Sequence, residues 1–189
     1  MLKVLAAMNS AHPKVIDYAT NGMRSDFMDI YLCAKCAFII STGTGLDAVA
    51  NIFRRPIAFL NLVPAGCLHT SREQSLGIFK RYIDADSKRE LSLSELFKNG
   101  VGLLFHSSEY KSNGIDLIEN TPEEIRDVAV EMAERLNGTW QAHPKDDAMQ
   151  QRFWEIFPTD AVSEGKPLHG EIRCRFGASF LRNNQGWLK

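Results

Sequence analysis

Residues 37–64 are the stretch that most limits what this chain can become. Ala37-Phe38-Ile39-Ile40 is an unbroken apolar run of strand length, and Ser41-Thr42-Gly43-Thr44-Gly45 is polar and glycine-containing. Residues 46–53 then suit a helix, and Pro56-Ile57-Ala58-Phe59-Leu60 is a second apolar run ending at Asn61-Leu62-Val63-Pro64. Two continuous apolar strands cannot leave one face in water, so they predict neighbours in a parallel sheet covered on both sides. The unit is βαβ, and the chain is expected to be an α/β protein with a Rossmann-like parallel sheet flanked by helices.

Further signals extend the pattern. The stretch 14–18 reads as a short strand, Asn21-Gly22 as a turn, and Ser25 as the cap of a helix running to about 36, with Asp26 and Asp29 in its first turn. Ser92 and Glu95 form a capping box, and 101–105 and 115–118 read as strands. Thr121-Pro122-Glu123-Glu124 opens a helix that Asn137-Gly138 should end. A helix over 145–157 is anchored by Phe153, Trp154 and Phe157. A loop through 165–167 leads to a basic, aromatic tail containing Arg173, Arg175, Phe176, Phe180, Leu181, Arg182 and Trp187. The expected organisation is a Rossmann-like lobe over 1–140, with a C-terminal helix and tail over 141–189 packing on that lobe or on a partner. If the partner is missing, Phe153, Trp154, Phe180 and Trp187 should be exposed and drive self-association.

Charge and cysteine usage exclude several classes. With 22 Lys and Arg against 23 Asp and Glu, the formal net charge of −1 gives no general attraction to nucleic acid. The apolar start at 1–8 gives way to Asn9, Ser10 and His12, too short for a secretory or transmembrane segment, so a cytoplasmic location is expected. Cys33, Cys36, Cys67 and Cys174 contain a single C-x-x-C, and the histidines are scattered at 12, 69, 106, 143 and 169, so no metal is expected. Cys33 and Cys36 read as small apolar residues facing a core.

The loop 41–45 carries the chemistry. Following a buried strand and preceding a helix, it should project from the carboxyl end of the sheet, where open α/β sheets bind ligands. Gly43 and Gly45 would let a phosphate approach the backbone, and Ser41, Thr42 and Thr44 can donate to its oxygens. The pattern is neither a P-loop nor a G-x-G-x-x-G fingerprint, which argues against ATP and NAD. A tight turn without a ligand is the plainer alternative. Arg24, Asp29, Asp47, Asn61 and Pro64 are further candidates at the same edge, with Arg24 as a cation and Asp29 and Asp47 as partners for a hydroxyl or for the loop. His69 is a candidate proton donor; no general base stands out.

Ser25-Asp26-Phe27-Met28-Asp29-Ile30-Tyr31-Leu32, Phe38 through Asp47, Phe53-Arg54-Arg55-Pro56 and Asn61-Leu62-Val63-Pro64 together resemble a family of bacterial glycosyltransferases linked to surface polysaccharide biosynthesis. The segment His169-Gly170-Glu171-Ile172-Arg173, followed by Phe176 to Asn184, is similar to that family's C-terminus. The resemblance implies the donor lobe of a metal-independent GT-B transferase. Its Ser/Gly loop would hold the diphosphate of a nucleotide-diphospho-sugar, the substrate, with no cofactor, and the acceptor would be a surface glycan. Two-lobed transferases need two domains of roughly 100–200 residues each, so 189 residues fit one lobe. The companion would be an N-terminal lobe or a second copy. Two alternatives stay open: an isomerase of the nucleotide-sugar 2-epimerase type, and a non-catalytic nucleotide-sugar-binding or assembly module.

Overall fold

The computed structural model describes residues 7, 8, 10, 12–163 and 165–189. Most of the apolar N-terminal run lies outside them. Three parallel strands form the centre: β1 (Ile39–Ser41), β2 (Ile57–Leu62) and β3 (Ser75–Phe79). Ile39 pairs with Ile57, and Ile57 in turn with Ser75. β2 is buried at almost every position and β3 at every one, as strands covered on both faces must be. Helix α1 (Asp26–Lys35), capped by the Ser25 hydroxyl, packs against α2 (Leu46–Ile52), which crosses from β1 to β2.

After β3 the chain leaves the sheet. β4 (Arg81–Asp84) pairs antiparallel with β5 (Ile115–Ile118) in a separate ribbon. Between them lie α3 (Leu93–Lys98) and α4 (Ser107–Ser112), and the Ser92–Glu95 capping box is present at α3. The predicted helix start at Thr121 is also found. In α5 (Pro122–Asn137) the Thr121 hydroxyl accepts from the Glu124 backbone, and Gly138 ends the helix in the left-handed conformation at φ 69°. α5 packs on β2 and β3, and α6 (Asp146–Ile156) follows.

The chain then returns. After a small hairpin, β6 (Val162–Ser163) with β7 (Lys166–Pro167), β8 (Arg175–Phe176) pairs parallel with β3 and completes the sheet in the order β1-β2-β3-β8. α7 (Ala178–Asn183) then packs on α5 and α6. β8 is an edge strand, and its outer hydrogen-bonding groups are met by one side chain from α6. Gln150 donates to the Phe176 carbonyl and accepts from the Phe176 N–H at 3.0 Å. Glu131 of α5, 1% exposed, accepts from the Ala178 N–H at 2.8 Å and from Arg135 at 2.9 Å. Burial still pushes its carboxyl above the ordinary range.

Several expectations are corrected. Residues 14–18 form no strand: Val15 and Ile16 are exposed, and local turns satisfy the backbone, with the Val15 N–H donating to the His12 carbonyl at 2.9 Å. Residues 101–105 hold a 3-10 turn at Val101–Leu103 instead of a strand, because left-handed Gly100 turns the chain and its carbonyl accepts from Leu103 at 3.2 Å. Phe153, Phe180 and Trp187 are not exposed. Phe176 stacks on Phe153 at 4.3 Å and meets Phe79 edge-on at 4.8 Å, and Trp187 closes the cluster 5.6 Å from Phe176. The tail has its partner in the sheet itself. Among the described residues no helix is long and apolar enough to cross a membrane.

His169 adds a pH dependence. It is 8% exposed and lies edge-on to Phe157 at 4.9 Å, and its ring nitrogens are buried with no more than a weak contact to the Gly66 backbone. Burial lowers its pKa, so the fold holds it neutral while the unfolded chain takes up a proton near ~6.5. The stability it permits is therefore full above that value and declines as pH falls through it. Urea midpoints should drop between pH 7 and pH 5, and by less in His169→Phe.

Candidate functional site

Ser41 is the last residue of β1, and the loop it opens does emerge at the carboxyl end of the sheet. Ser41 is buried, and its Oγ accepts from the Gly43 N–H at 3.3 Å, so this hydroxyl braces the loop. Gly43 has φ 82°, and a Cβ there would stand 3.2 Å from Leu62 Cδ1. A side chain at this position would be strained twice, by backbone conformation and by β2. Thr42 and Thr44 are exposed. The Thr44 carbonyl accepts from the Asp47 N–H at 3.0 Å, and the N–H groups of Thr44 and Gly45 have no backbone partner among the described residues. With only seven residues, α2 adds a small dipole, so hydroxyls and loop N–H groups must supply most of the attraction for an anion.

The loop stands between two hollows. One, about 170 Å³, is lined by Gly43, Thr44, Asp47, Asn51, Phe59 and His69, among others. Asp47 is 5% exposed, and its Oδ1 has no donor among the described residues. An unpaired buried carboxylate oxygen invites a donor such as a ligand hydroxyl. His69 is exposed and stacked on Phe59 at 4.9 Å. The other hollow, about 370 Å³, is bordered by Ser41, Thr42, Thr44, Asn61 and Ile125. Neither is lined by Lys or Arg, and the smaller lies well below the ~300–1,000 Å³ of a drug-sized ligand pocket.

The remaining candidates divide. Arg24 and Asp29 are paired with each other at 3.3 Å, and neither lines a hollow beside the loop. The Tyr18 hydroxyl donates to Asp29 at 2.8 Å and, with Arg24, holds that carboxyl below its ordinary pKa. Pro64 follows β2 and precedes a 3-10 turn at Ala65–Cys67; its carbonyl accepts from Cys67 at 3.0 Å. Cys33 is buried and Cys36 half-buried, and desolvation pushes both thiols up. No cluster of metal-ligating side chains occurs among the described residues.

Asn61 reaches the second hollow in a form the sequence did not suggest. Its backbone is left-handed at φ 51°, and its N–H donates to Asn120 Oδ1 at 2.7 Å while its own Oδ1 accepts from the Asn120 N–H at 2.5 Å. Asn120 Nδ2 donates to the Phe79 carbonyl at 2.7 Å. One buried amide thus ties the carboxyl ends of β2 and β3 to the start of α5. The sole sequence signal for Asn120 is its place just before the Thr121 cap.

Asn120→Ala should leave the Asn61 N–H and the Phe79 carbonyl unpaired and cost about 2–4 kcal/mol, read from denaturant unfolding. Asn120→Asp, which keeps an acceptor for Asn61 but loses the donor to Phe79, should also destabilise. The chain matches no protein-family model, no curated protein and no solved structure.

Proposed function

We propose that the chain is the nucleotide-sugar-binding lobe of a two-lobed transferase, acting on a nucleotide-diphospho-sugar and a surface-glycan acceptor. The observation that carries this reading is the loop 41–45. It is a hydroxyl-bearing, positive-φ turn at the carboxyl end of a parallel strand, open on both sides to hollows that hold Asp47, His69 and Asn61. The leaving group of such a reaction is a nucleoside diphosphate, whose growing charge needs preorganised donors. Thr42 and Thr44 supply hydroxyls, and the Thr44 and Gly45 backbones supply N–H groups. Asp47 would accept from a ribose or sugar hydroxyl rather than meet the phosphates. The GT-B resemblance of the sequence supports the same assignment. On this reading, acceptor binding, the general base and a cation for the diphosphate come from a companion lobe.

The test is calorimetric titration with uridine and guanosine diphosphates. Wild-type protein should bind one of them with a dissociation constant of roughly 10–500 μM, the range of a half-formed site. Thr42→Ala/Thr44→Ala removes only exposed hydroxyls, leaves the fold intact and should weaken binding at least tenfold; failure of both nucleotides to bind ends this reading.

A second reading, a non-catalytic assembly module, is favoured by one observation. Phe27, Ile30 and Tyr31 of α1, Ile40 of β1, Ile52 at the end of α2 and Phe53 after it are all exposed, and among the described residues β1 is an edge of the sheet. Exposed apolar groups on three adjoining elements mark a covered surface. Sedimentation equilibrium should then show a mass that rises with concentration, and Phe27→Glu/Ile52→Glu should return it to the monomer.

A further inference from the structure

The opposite end of the sheet is chemically unlike the loop edge. The segments that lead into β2, β3 and β8 converge there, and each brings arginine. A hollow of about 400 Å³ is lined by Arg54, Arg55, Arg72 and Arg173, with Glu73 as its one carboxylate. It runs, through Glu73, Gln74 and Arg173, into a larger one of about 630 Å³ that adds Arg135, Arg175 and Ser75, with Asp147 as a second carboxylate.

The charges in this groove are unevenly answered. Arg173 pairs with Glu171, Arg175 with Asp147 at 2.9 Å, and Arg135 with Glu131 at 2.8 Å. Among the described residues Arg54, Arg55 and Arg72 have no carboxylate partner, although Arg72 donates to the Asn51 carbonyl. Three guanidinium groups crowd one concave surface on a protein whose formal net charge is −1.

The hydrogen-bond inventory points the same way. Arg55 Nε, Arg175 Nε and Ser75 Oγ are buried and lack partners among the described residues, and Ser75 is 1% exposed. A guanidinium N–H can only donate, and a hydroxyl can donate. The groove therefore has an excess of buried donors, and the complementary occupant is rich in acceptors and negatively charged.

The backbone adds a third observation. Arg54 has φ 55°, a left-handed conformation that ends α2 and for which glycine is the better residue. An arginine there is held against its own preference, and the turn directs two consecutive arginines to the groove.

We propose that this groove is an oxyanion site for the phosphoryl group of a phosphorylated small molecule, held by Arg54, Arg55, Arg72 and Arg173, with Arg175 beside them in the adjoining hollow. It is separate from the nucleotide loop, which lies at the other end of the strands. The buried, unpartnered donors Arg55 Nε and Arg175 Nε suit a small soluble ligand that can enter the groove rather than a membrane face.

The test uses inorganic pyrophosphate as probe, at low ionic strength to limit screening, with arginine Nε–Hε resonances followed by NMR. Saturable binding should shift the Arg55 and Arg175 signals. Arg54→Gly/Arg173→Gln should weaken it at least tenfold, whereas Arg126→Gln, remote from the groove, should leave it unchanged. The single variant Arg54→Gly should weaken binding with a melting temperature no lower than wild type, which separates ligand binding from fold support. Thr42→Ala/Thr44→Ala should keep the Arg55 and Arg175 shifts whether or not nucleoside diphosphates bind the loop, so the two readings fail independently. Absence of saturable binding, equal binding by wild type and Arg54→Gly/Arg173→Gln, or capture by phosphatidic acid vesicles without pyrophosphate binding would each overturn the assignment.

Discussion

The hydrogen bonds between Gln150 and the backbone of Phe176 hold the architecture closed. β8 is two residues long and lies at the edge of the sheet, where its outward N–H and carbonyl would otherwise be buried without partners under α6. The Gln150 amide presents one donor and one acceptor in the spacing of a neighbouring strand, and so ends the sheet without extending it. Glu131 does the equivalent for the N-terminus of α7 by accepting from Ala178. Once these groups are satisfied, Phe176 can sit among Phe79, Phe153 and Trp187. Polar satisfaction comes first because an unpaired peptide group in this core would offset much of what the aromatic contacts gain.

The same sheet has two ends of different character. At the carboxyl end, hydroxyls, loop N–H groups and a buried aspartate surround hollows that no Lys or Arg lines. At the amino end, arginines from successive crossovers face a larger groove with few carboxylates. Parallel strands bring this about directly: every crossover enters at one end and leaves at the other, so residues just before strands collect together, as do residues just after them. The arginines come from three separate segments of the chain, at 54 and 55, at 72, and at 173 and 175, yet each lies within a few residues of a strand start.

Local signals in the sequence were reliable wherever the physics was local. Ser25, Ser92 and Thr121 cap helices through their own side chains, and the β1–α2–β2 unit follows from two apolar runs and the loop between them. Isolated apolar runs such as 101–105 misled, because period alone does not separate a strand from a 3-10 turn bounded by glycine. β3, the most buried strand, was passed over: Leu76-Gly77-Ile78-Phe79 is interrupted by glycine and reads weakly. The tail was seen as basic and aromatic, but pattern could not show that its aromatics turn into the sheet. In the candidate site, Gly43 and the hydroxyls were legible from composition and order, whereas Asn120 acts through a partner 59 positions away. The arginine groove was invisible for the same reason.

The pairing of β3 with β8 also bears on how the molecule is made. Leu76 meets Arg175, and Gly77 meets Phe176, across about half the length of the chain. Closing so long a loop is slow, and contacts of this separation come late in folding. During synthesis β1, β2 and β3 leave the ribosome early, with Phe79 and the outer edge of β3 uncovered until residues 175–188 have also emerged. The nascent protein therefore passes through an interval in which a flat, apolar strand edge is open to other chains. That interval adds an aggregation risk during translation to the one that the exposed apolar side chains of α1, β1 and α2 carry in the finished fold.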